Sequence, residues 1–228
     1  MTFHDKTVFI GFDGLSDGIG AYTARRFARH GAHVVIAGRR ADPGEALAAS
    51  IRSTGATALF IGADLRDIVD MGRAVDNAGP IDILVNHADV FASPLRHASP
   101  PPMIGSTAFD NWLEQNFAAL FLSCAVVPLM ERDRGGKIIH VSTRPTGESG
   151  WESTFDYAAK LEEFSKRWSA KWAPKGVSLK SMSLAYNHQT LGPDAYPCSA
   201  SCSKVDTLPA APRTADYVAK KIVMLAAE

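Results

Sequence analysis

Short apolar segments alternate with longer amphipathic segments along most of the chain. Six short apolar runs predict strands, over residues 7–12, 33–37, 57–61, 81–85, 137–141 and 177–184. Five longer segments with apolar residues at helical spacing predict helices, over residues 19–30, 43–52, 109–130, 155–172 and 214–227. Because the strands lack strict polar alternation, they suit a parallel sheet that helices cover on both faces. The pattern predicts one α/β domain over residues 1–228, with a doubly wound sheet in three layers and a mobile loop or lid at residues 188–212.

Composition and charge limit the kinds of binding partner that the sequence predicts. The chain is 46% hydrophobic and its formal net charge is zero, so electrostatics favour neither nucleic acid nor an acidic membrane surface. No apolar run is long enough to span a bilayer, and the first residues lack the apolar segment of a secretory signal. Cys124 lies in an apolar helical pattern and is predicted to be buried, whereas Cys198 and Cys202 are expected to be free surface thiols. The cysteines favour a reducing cytoplasm, and no metal site is expected.

A glycine-rich turn joins the first strand to the first helix, and residues 14–20 of this turn read Gly-Leu-Ser-Asp-Gly-Ile-Gly. Gly14 permits a tight turn, Gly18 lets the backbone approach a diphosphate, and Gly20 allows the helix to pack closely on the strand. The diphosphate would rest on free amides at the helix N-terminus. The alternative is a tight turn that binds no ligand.

This turn, in its strand-turn-helix setting, resembles the fingerprint of the short-chain dehydrogenase/reductase family, and the resemblance extends from Lys6 to Ala226. It implies a Rossmann-like fold, a small-molecule substrate, a homo-oligomer and a nicotinamide cofactor. No counterpart of the family's final strand precedes Glu228, so a sheet without that strand is one expectation.

The resemblance also implies the residues that hold the cofactor. The diphosphate would bind at the turn, to residues Gly14, Ser16, Asp17, Gly18, Ile19 and Gly20. Arg39 and Arg40 follow the second strand, where an acid would select NAD, so they favour NADP(H) over NAD(H). The alternative is that both arginines are simply solvated. Asp17 favours NAD(H) weakly. The remaining contacts are the adenine pair Asp64 and Leu65, the nicotinamide-side pair Asn86 and Ala88, and the amide contact Thr190. His87 and Asp89 depart from the family motif, which has an amide and a glycine at these positions.

The catalytic group implied by the resemblance consists of Tyr157 as general acid/base, Lys160 as its electrostatic partner, Thr143 or Ser142 as the orienting hydroxyl, and Asn116 as the relay residue. Tyr157 and Lys160 are three residues apart, whereas the family spacing is four. On a helix these two spacings place the second side chain on opposite sides of the first. If Lys160 keeps the family register, Asp156 stands at the tyrosine position.

Two functions follow from these residues. The first is an NADP-dependent, ketoreductase-like oxidoreductase acting on a carbonyl/alcohol pair of a bulky small molecule. The alternative is a non-redox protein on the same scaffold, which is either a cyclase, dehydratase or isomerase, or a partner without chemistry that binds no cofactor. Several motifs depart from the family together, which motivates this alternative.

Overall fold

The computed structural model describes residues 2–12, 14, 16, 18–87, 107–132, 135–145, 157–186 and 215–228, and within them the side chains outside 107–117, 142–145, 157–161 and 183–186. Strands and helices alternate along the described chain. The strands are β1 (Thr7–Gly11), β2 (His33–Gly38), β3 (Ala58–Gly62), β4 (Ile83–His87), β5 (Gly136–Pro145) and β6 (Val177–Tyr186). The helices are α1 (Ile19–Arg29), α2 (Ala41–Arg52), α3 (Ile68–Ala78), α4 (Thr107–Arg132), α5 (Tyr157–Trp172) and α6 (Ala215–Ala227), with a short 3-10 turn at Ala173–Lys175.

The strands form one parallel sheet in the order β3-β2-β1-β4-β5-β6 among the described residues. The order reverses between β1 and β4, which makes the carboxyl ends of these two strands the switch point of the sheet. Helices α1, α2 and α6 pack on one face and α3, α4 and α5 on the other. The predicted three-layer, doubly wound fold is therefore confirmed.

Each face of the sheet has its own apolar core because neighbouring residues of a strand point to opposite faces. In β1, Val8 and Ile10 pack toward α1 and α6, whereas Phe9 packs toward α4. The sheet is thus buried on both faces, as is usual for a parallel sheet.

Helix α3 was absent from the prediction. Its N-cap is Asp67, whose carboxylate accepts hydrogen bonds from the amides of Val69 and Asp70, both at 2.9 Å. Met71 and Val75 supply its buried face, one turn apart. Ile68 and Val69 are exposed at its first turn, and these apolar residues on the solvent side blurred the amphipathic pattern.

Strand β4 was predicted two residues too early, at 81–85. Asp82 does not belong to the strand: its carboxylate accepts hydrogen bonds from the Thr7 amide (2.9 Å) and the Lys6 ammonium (2.7 Å). Asn86 and His87 are consequently the last residues of the strand and are buried.

Strands β5 and β6 continue together past their predicted ends, and pair as far as Pro145 and Tyr186. The prediction for Cys124 was wrong, because this residue lies on the exposed side of α4. The buried side carries Leu122, Val126 and Met130 instead. The predicted lid at 188–212 lies outside the described residues. None of the helices described is long and apolar enough to cross a membrane.

Candidate cofactor and catalytic site

The glycine-rich turn lies at the switch point, and three of its glycines are described. Gly14 adopts a left-handed conformation, with φ of +89°. Gly18 is the N-cap of α1, and Gly20 packs so tightly that a Cβ there would lie 3.3 Å from the Gly11 carbonyl oxygen. The Arg25 guanidinium donates to the Ser16 carbonyl oxygen at 2.8 Å and braces the turn from the second turn of α1. The first amides of α1, from Ile19 onward, begin directly after this turn.

A guanidinium side chain lies directly over the turn. A Cβ on Gly14 would be 2.4 Å from Cδ of Arg40 and 3.0 Å from its Nε. Both Arg39 and Arg40 are exposed, and Arg40 is the N-cap of α2. Gly38, the residue before them, could not carry an acid in this conformation, because a Cβ there would lie 2.3 Å from the Phe12 carbonyl oxygen. The end of β2 therefore presents positive charge and no carboxylate.

Asp64 and Leu65 follow β3 at the same edge of the sheet. Arg66 holds the Asp64 carboxylate with two hydrogen bonds, from Nε at 2.9 Å and from Nη2 at 2.6 Å. These bonds, helped by the Arg39 charge, hold the pKa of Asp64 below its usual value. Leu65 is buried in the core beside Met71. Sequence reasoning missed the role of Arg66, although an arginine two residues after an aspartate was its visible signal.

Asn86 is buried at the end of β4. Its Nδ2 donates to the Ala119 carbonyl oxygen at 3.0 Å and to Ser123 Oγ at 2.9 Å, which ties the strand to α4. Its Oδ1 is a buried acceptor with no hydrogen-bond partner within the described part of the chain. His87, next along, is also buried. Asn86 thus combines a structural link with an unused acceptor next to the switch point.

The candidate catalytic residues lie on three elements that meet at the carboxyl edge. The last β4–β5 pair joins His87 to Val141, so Ser142 and Thr143 belong to the part of β5 that extends past β4 along β6. Asn116 lies in α4. Tyr157 is the first residue of α5 and Lys160 lies in its first turn, so their spacing of three falls on regular helix.

The described part of the chain does not reach every candidate. Asp17, Ala88 and Thr190 lie outside the described residues, as do the side chains of Asn116, Ser142, Thr143, Tyr157 and Lys160. No group of three His, Cys, Asp or Glu residues that could hold a metal ion occurs in the ranges the structure describes. The side chains described are therefore those near the glycine-rich turn and at the ends of β2, β3 and β4.

A family comparison decides the identity of this arrangement. The sequence model of short chain dehydrogenases matches residues 7–190, which include the glycine-rich turn and every candidate catalytic residue. The chain belongs to the short-chain dehydrogenase family. The six-stranded parallel sheet and its switch point are thus those of a short-chain dehydrogenase.

Two curated relatives of this short-chain dehydrogenase are named as dehydrogenases of a sugar and of a hydroxycyclohexane carboxylate. The chain is 37% identical over 152 residues to L-rhamnose 1-dehydrogenase (NAD(P)(+)) of Azotobacter vinelandii, covering 63% of this chain and 57% of that protein. It is 32% identical over 182 residues to trans-4-hydroxycyclohexanecarboxylate dehydrogenase of Sinomonas cyclohexanicum, covering 74% and 62%. The chain therefore spans about six tenths of the length of these two relatives.

A solved structure shows the same fold. The hydroxysteroid dehydrogenase of Escherichia coli superimposes with a TM-score of 0.66 at 26% identity, covering 79% of this chain and 72% of that one.

Proposed function

We propose that this short-chain dehydrogenase is an NADP(H)-dependent oxidoreductase that interconverts a carbonyl and an alcohol on a bulky small molecule. The observation that carries the proposal is the turn before α1. There, Gly14 lies in a left-handed conformation beneath Arg40, and Gly20 packs against the Gly11 carbonyl. The turn leads directly into the N-terminus of α1, where unpaired amides can bind a diphosphate.

The residues at the turn fit a nicotinamide dinucleotide with a 2′-phosphate. The diphosphate is assigned to the turn and the start of α1, at Gly14, Ser16, Asp17, Gly18, Ile19 and Gly20. Arg39 and Arg40 would bind the 2′-phosphate, since guanidinium groups form paired hydrogen bonds with phosphate oxygens. The lack of room for an acid at Gly38 supports the same preference. When bound, NADP(H) supplies or accepts the hydride.

Further contacts extend along the carboxyl edge. Asp64 and Leu65 are assigned to the adenine end and Asn86, Ala88 and Thr190 to the nicotinamide end. The buried Oδ1 of Asn86, which has no partner among the described residues, supports a role at that end. Arg66 already satisfies Asp64 in this structure, so an adenine amino group would share that carboxylate.

The proton transfers are assigned to the chain's own groups. Tyr157 would exchange a proton with the substrate oxygen, and Lys160 would favour the ionised phenol by its charge. The position of Tyr157 at the first turn of α5 adds the positive end of the helix dipole. Thr143 or Ser142 would orient the substrate oxygen, and Asn116 would complete the proton relay.

The substrate class follows from the relatives' names. One name describes oxidation at position 1 of L-rhamnose and the other oxidation of a hydroxycyclohexane carboxylate, so sugars and hydroxycyclohexane acids are the first compounds to be tested. Homo-oligomeric assembly and a cytoplasmic location belong to the same proposal, and the free thiol of Cys124 is compatible with a reducing compartment.

The decisive experiment is a fluorescence titration of the purified protein with NADPH and NADH. Arg40→Gln removes one charged hydrogen bond to the 2′-phosphate and keeps the packing of the side-chain stem. Such a bond contributes about 1.5–3 kcal/mol. The dissociation constant for NADPH should therefore rise by about tenfold or more, while that for NADH stays unchanged.

Arg29→Gln is the matched control, because Arg29 is an exposed arginine at the opposite end of α1. It should leave both affinities unchanged. Equal weakening of NADPH and NADH by Arg40→Gln would remove the NADP preference, and a wild-type protein that binds neither nucleotide would remove the proposal.

The non-redox alternative is favoured by one observation, the start of α5. Tyr157 and Lys160 lie on regular helix at a spacing of three, which does not reproduce the family's arrangement of phenol and ammonium. Under this alternative, NADPH would either fail to bind or bind without being oxidised in the presence of any ketone, whereas hydride transfer in the wild-type protein would exclude it.

A further inference from the structure

Four polar side chains are buried between the sheet and the helices α4 and α5, and hydrogen bonds join them into a continuous chain. Asn86 Nδ2 donates to Ser123 Oγ at 2.9 Å, Ser123 Oγ lies 2.8 Å from His140 Nε2, and His140 Nδ1 lies 3.1 Å from Ser165 Oγ. None of the four residues is more than 2% exposed. Strands β4 and β5 and helices α4 and α5 contribute one residue each, and we call these four residues the buried polar chain.

The number of protons available to Ser123 assigns the direction of these bonds. Its hydroxyl carries one proton and lies 2.8 Å from the Ala119 carbonyl oxygen, which can only accept. The Ser123 hydroxyl must therefore accept from both Asn86 Nδ2 and His140 Nε2. The His140 ring then carries its proton on Nε2, and its unprotonated Nδ1, 3.1 Å from Ser165 Oγ, can only accept.

The elements joined by the buried polar chain are those that carry the candidate catalytic residues. Asn116 precedes Ser123 by seven residues on α4, and Ser142 and Thr143 follow His140 on β5. Tyr157 and Lys160 occupy the first turn of α5, upstream of Ser165 on the same helix. A restraint at His140 therefore acts on all three elements at once.

We propose that His140 is a positioning residue of the active site: its two ring nitrogens hold α4 and α5 against β5, and so set where Asn116 and the first turn of α5 lie relative to Thr143. This inference rests on the proposed function. Hydrogen bonds in a buried site have no water to replace them, so losing one frees the helix it restrains. Small displacements of catalytic groups cost rate far more than they cost substrate binding.

Two features separate this role from ordinary core packing. The ring stacks on Phe164 of α5 at a centroid distance of 6.1 Å, so an apolar ring could fill the same space. Burial also lowers the pKa of the imidazole to about 3, so at neutral pH the ring is uncharged, with one nitrogen that donates and one that accepts. The features that an apolar ring would lack are the two directed bonds, one to α4 and one to α5.

The test compares three variants of the full chain. His140→Phe keeps an aromatic ring beside Phe164 and removes both bonds, whereas His140→Gln keeps an amide that can donate and accept. Val223→Ala is the control for lost stability, because Val223 is buried against the opposite face of the sheet. Ser165→Ala removes the bond from His140 to α5 and leaves the bond to α4 in place, and it replaces His140→Phe in the comparison if that variant does not fold.

Three quantities are measured on each protein. Turnover is followed with L-rhamnose and with trans-4-hydroxycyclohexanecarboxylate, to give kcat and KM on whichever compound the wild type oxidises. Fluorescence titration gives the dissociation constant for NADPH. Hydrogen exchange followed by mass spectrometry reports the opening of α4 and α5, with α1 as an internal reference.

The expected result for His140→Phe is a kcat lowered by about tenfold or more, with KM and the NADPH dissociation constant unchanged. Exchange should quicken in α4 and α5 and not in α1. His140→Gln should restore both kcat and the slow exchange, and Val223→Ala should change neither.

The inference is overturned if His140→Phe leaves exchange in α4 and α5 unchanged, or if Gln fails to restore it. It is also overturned if kcat falls no further than in Val223→Ala. A wild-type protein that binds NADPH but turns over neither compound would count against the proposed function alone, because the exchange measurement still decides whether His140 restrains the helices.

Discussion

The burial of His140 predicts that the protein loses stability in mild acid by an amount that can be worked out. The ring has its usual pKa of 6.5 in the unfolded chain and about 3 in the folded protein, with burial as the cause. Between these two values the unfolded state binds the proton and the folded state does not. Stability is therefore complete above about pH 6.5 and falls as the pH drops toward 3.

The size of the loss follows from the distance between the pH and the unfolded pKa. Each pH unit below 6.5 lowers the free energy of unfolding by about 1.4 kcal/mol, so the contribution of His140 at pH 5 is a loss of about 2 kcal/mol. This is a substantial part of the stability of an ordinary domain. The contacts described around the ring are the hydroxyls of Ser123 and Ser165 and the ring of Phe164, and none of these compensates a positive charge.

The assay is urea unfolding of the wild type and of His140→Gln between pH 8 and pH 5. Trp168 and Trp172 report unfolding by fluorescence, since both belong to α5 and pack against Phe164 of the same helix. All other ionisable groups are common to the two proteins, so the difference between the two pH profiles isolates His140. The variant should lose about 2 kcal/mol less than the wild type over this range.

His33→Gln is the control, because His33 is an exposed histidine on β2. Its pH profile should follow that of the wild type. Parallel profiles for the wild type and His140→Gln would refute the reasoning, since they would mean that the ring is protonated as readily in the folded protein as in the unfolded chain.

Two further predictions concern the turn and α4. Gly14→Ala should lower the free energy of unfolding by about 1–2 kcal/mol, because of the left-handed backbone, and should weaken NADPH binding by displacing Arg40. The control Gly55→Ala, at φ +83° with open space around it, should lose a similar amount of stability in urea unfolding and should leave the NADPH titration unchanged. In the folded Cys198→Ser/Cys202→Ser protein, Cys124 should react with a thiol reagent, but more slowly at pH 8 than a free thiol does, because partial burial raises its pKa. A Cys124 that reacts only after unfolding would contradict its exposed position.

The fold could be predicted largely from the sequence because its strands are apolar runs that need no partner to be recognised. Strand β1 and helix α1 were placed correctly to within a residue, since a glycine-rich turn separates their two periodicities. Helix α3 was missed because Ile68 and Val69 are exposed, at 69% and 65%. The N-cap residue Asp67 marks the start of this helix in the sequence, but a search for hydrophobic periodicity alone does not consider capping residues.

The backbone of the glycine-rich turn was more predictable than the charges around it. The glycine spacing predicts the turn because its backbone conformation requires glycine, and glycines can be recognised in the sequence. The pairing of Arg66 with Asp64 and the position of Arg40 above Gly14 are tertiary contacts, which no spacing rule reports. The same applies to Cys124: an apolar helical pattern identifies a buried stripe only once the neighbouring elements are placed.

The buried polar chain explains why such sites escape pattern reasoning. A histidine inside the apolar run Lys137–Val141 looks like an interruption of the strand, and two serines on amphipathic helices look like surface positions. Only the packing of β4, β5, α4 and α5 brings their side chains within hydrogen-bonding distance. Because a half-satisfied buried network costs more than an apolar core, each of these residues depends on the presence of the others. Changing one of them alone should therefore cost more than changing the chain to apolar residues together, and this non-additivity distinguishes a connected network from four independent polar residues.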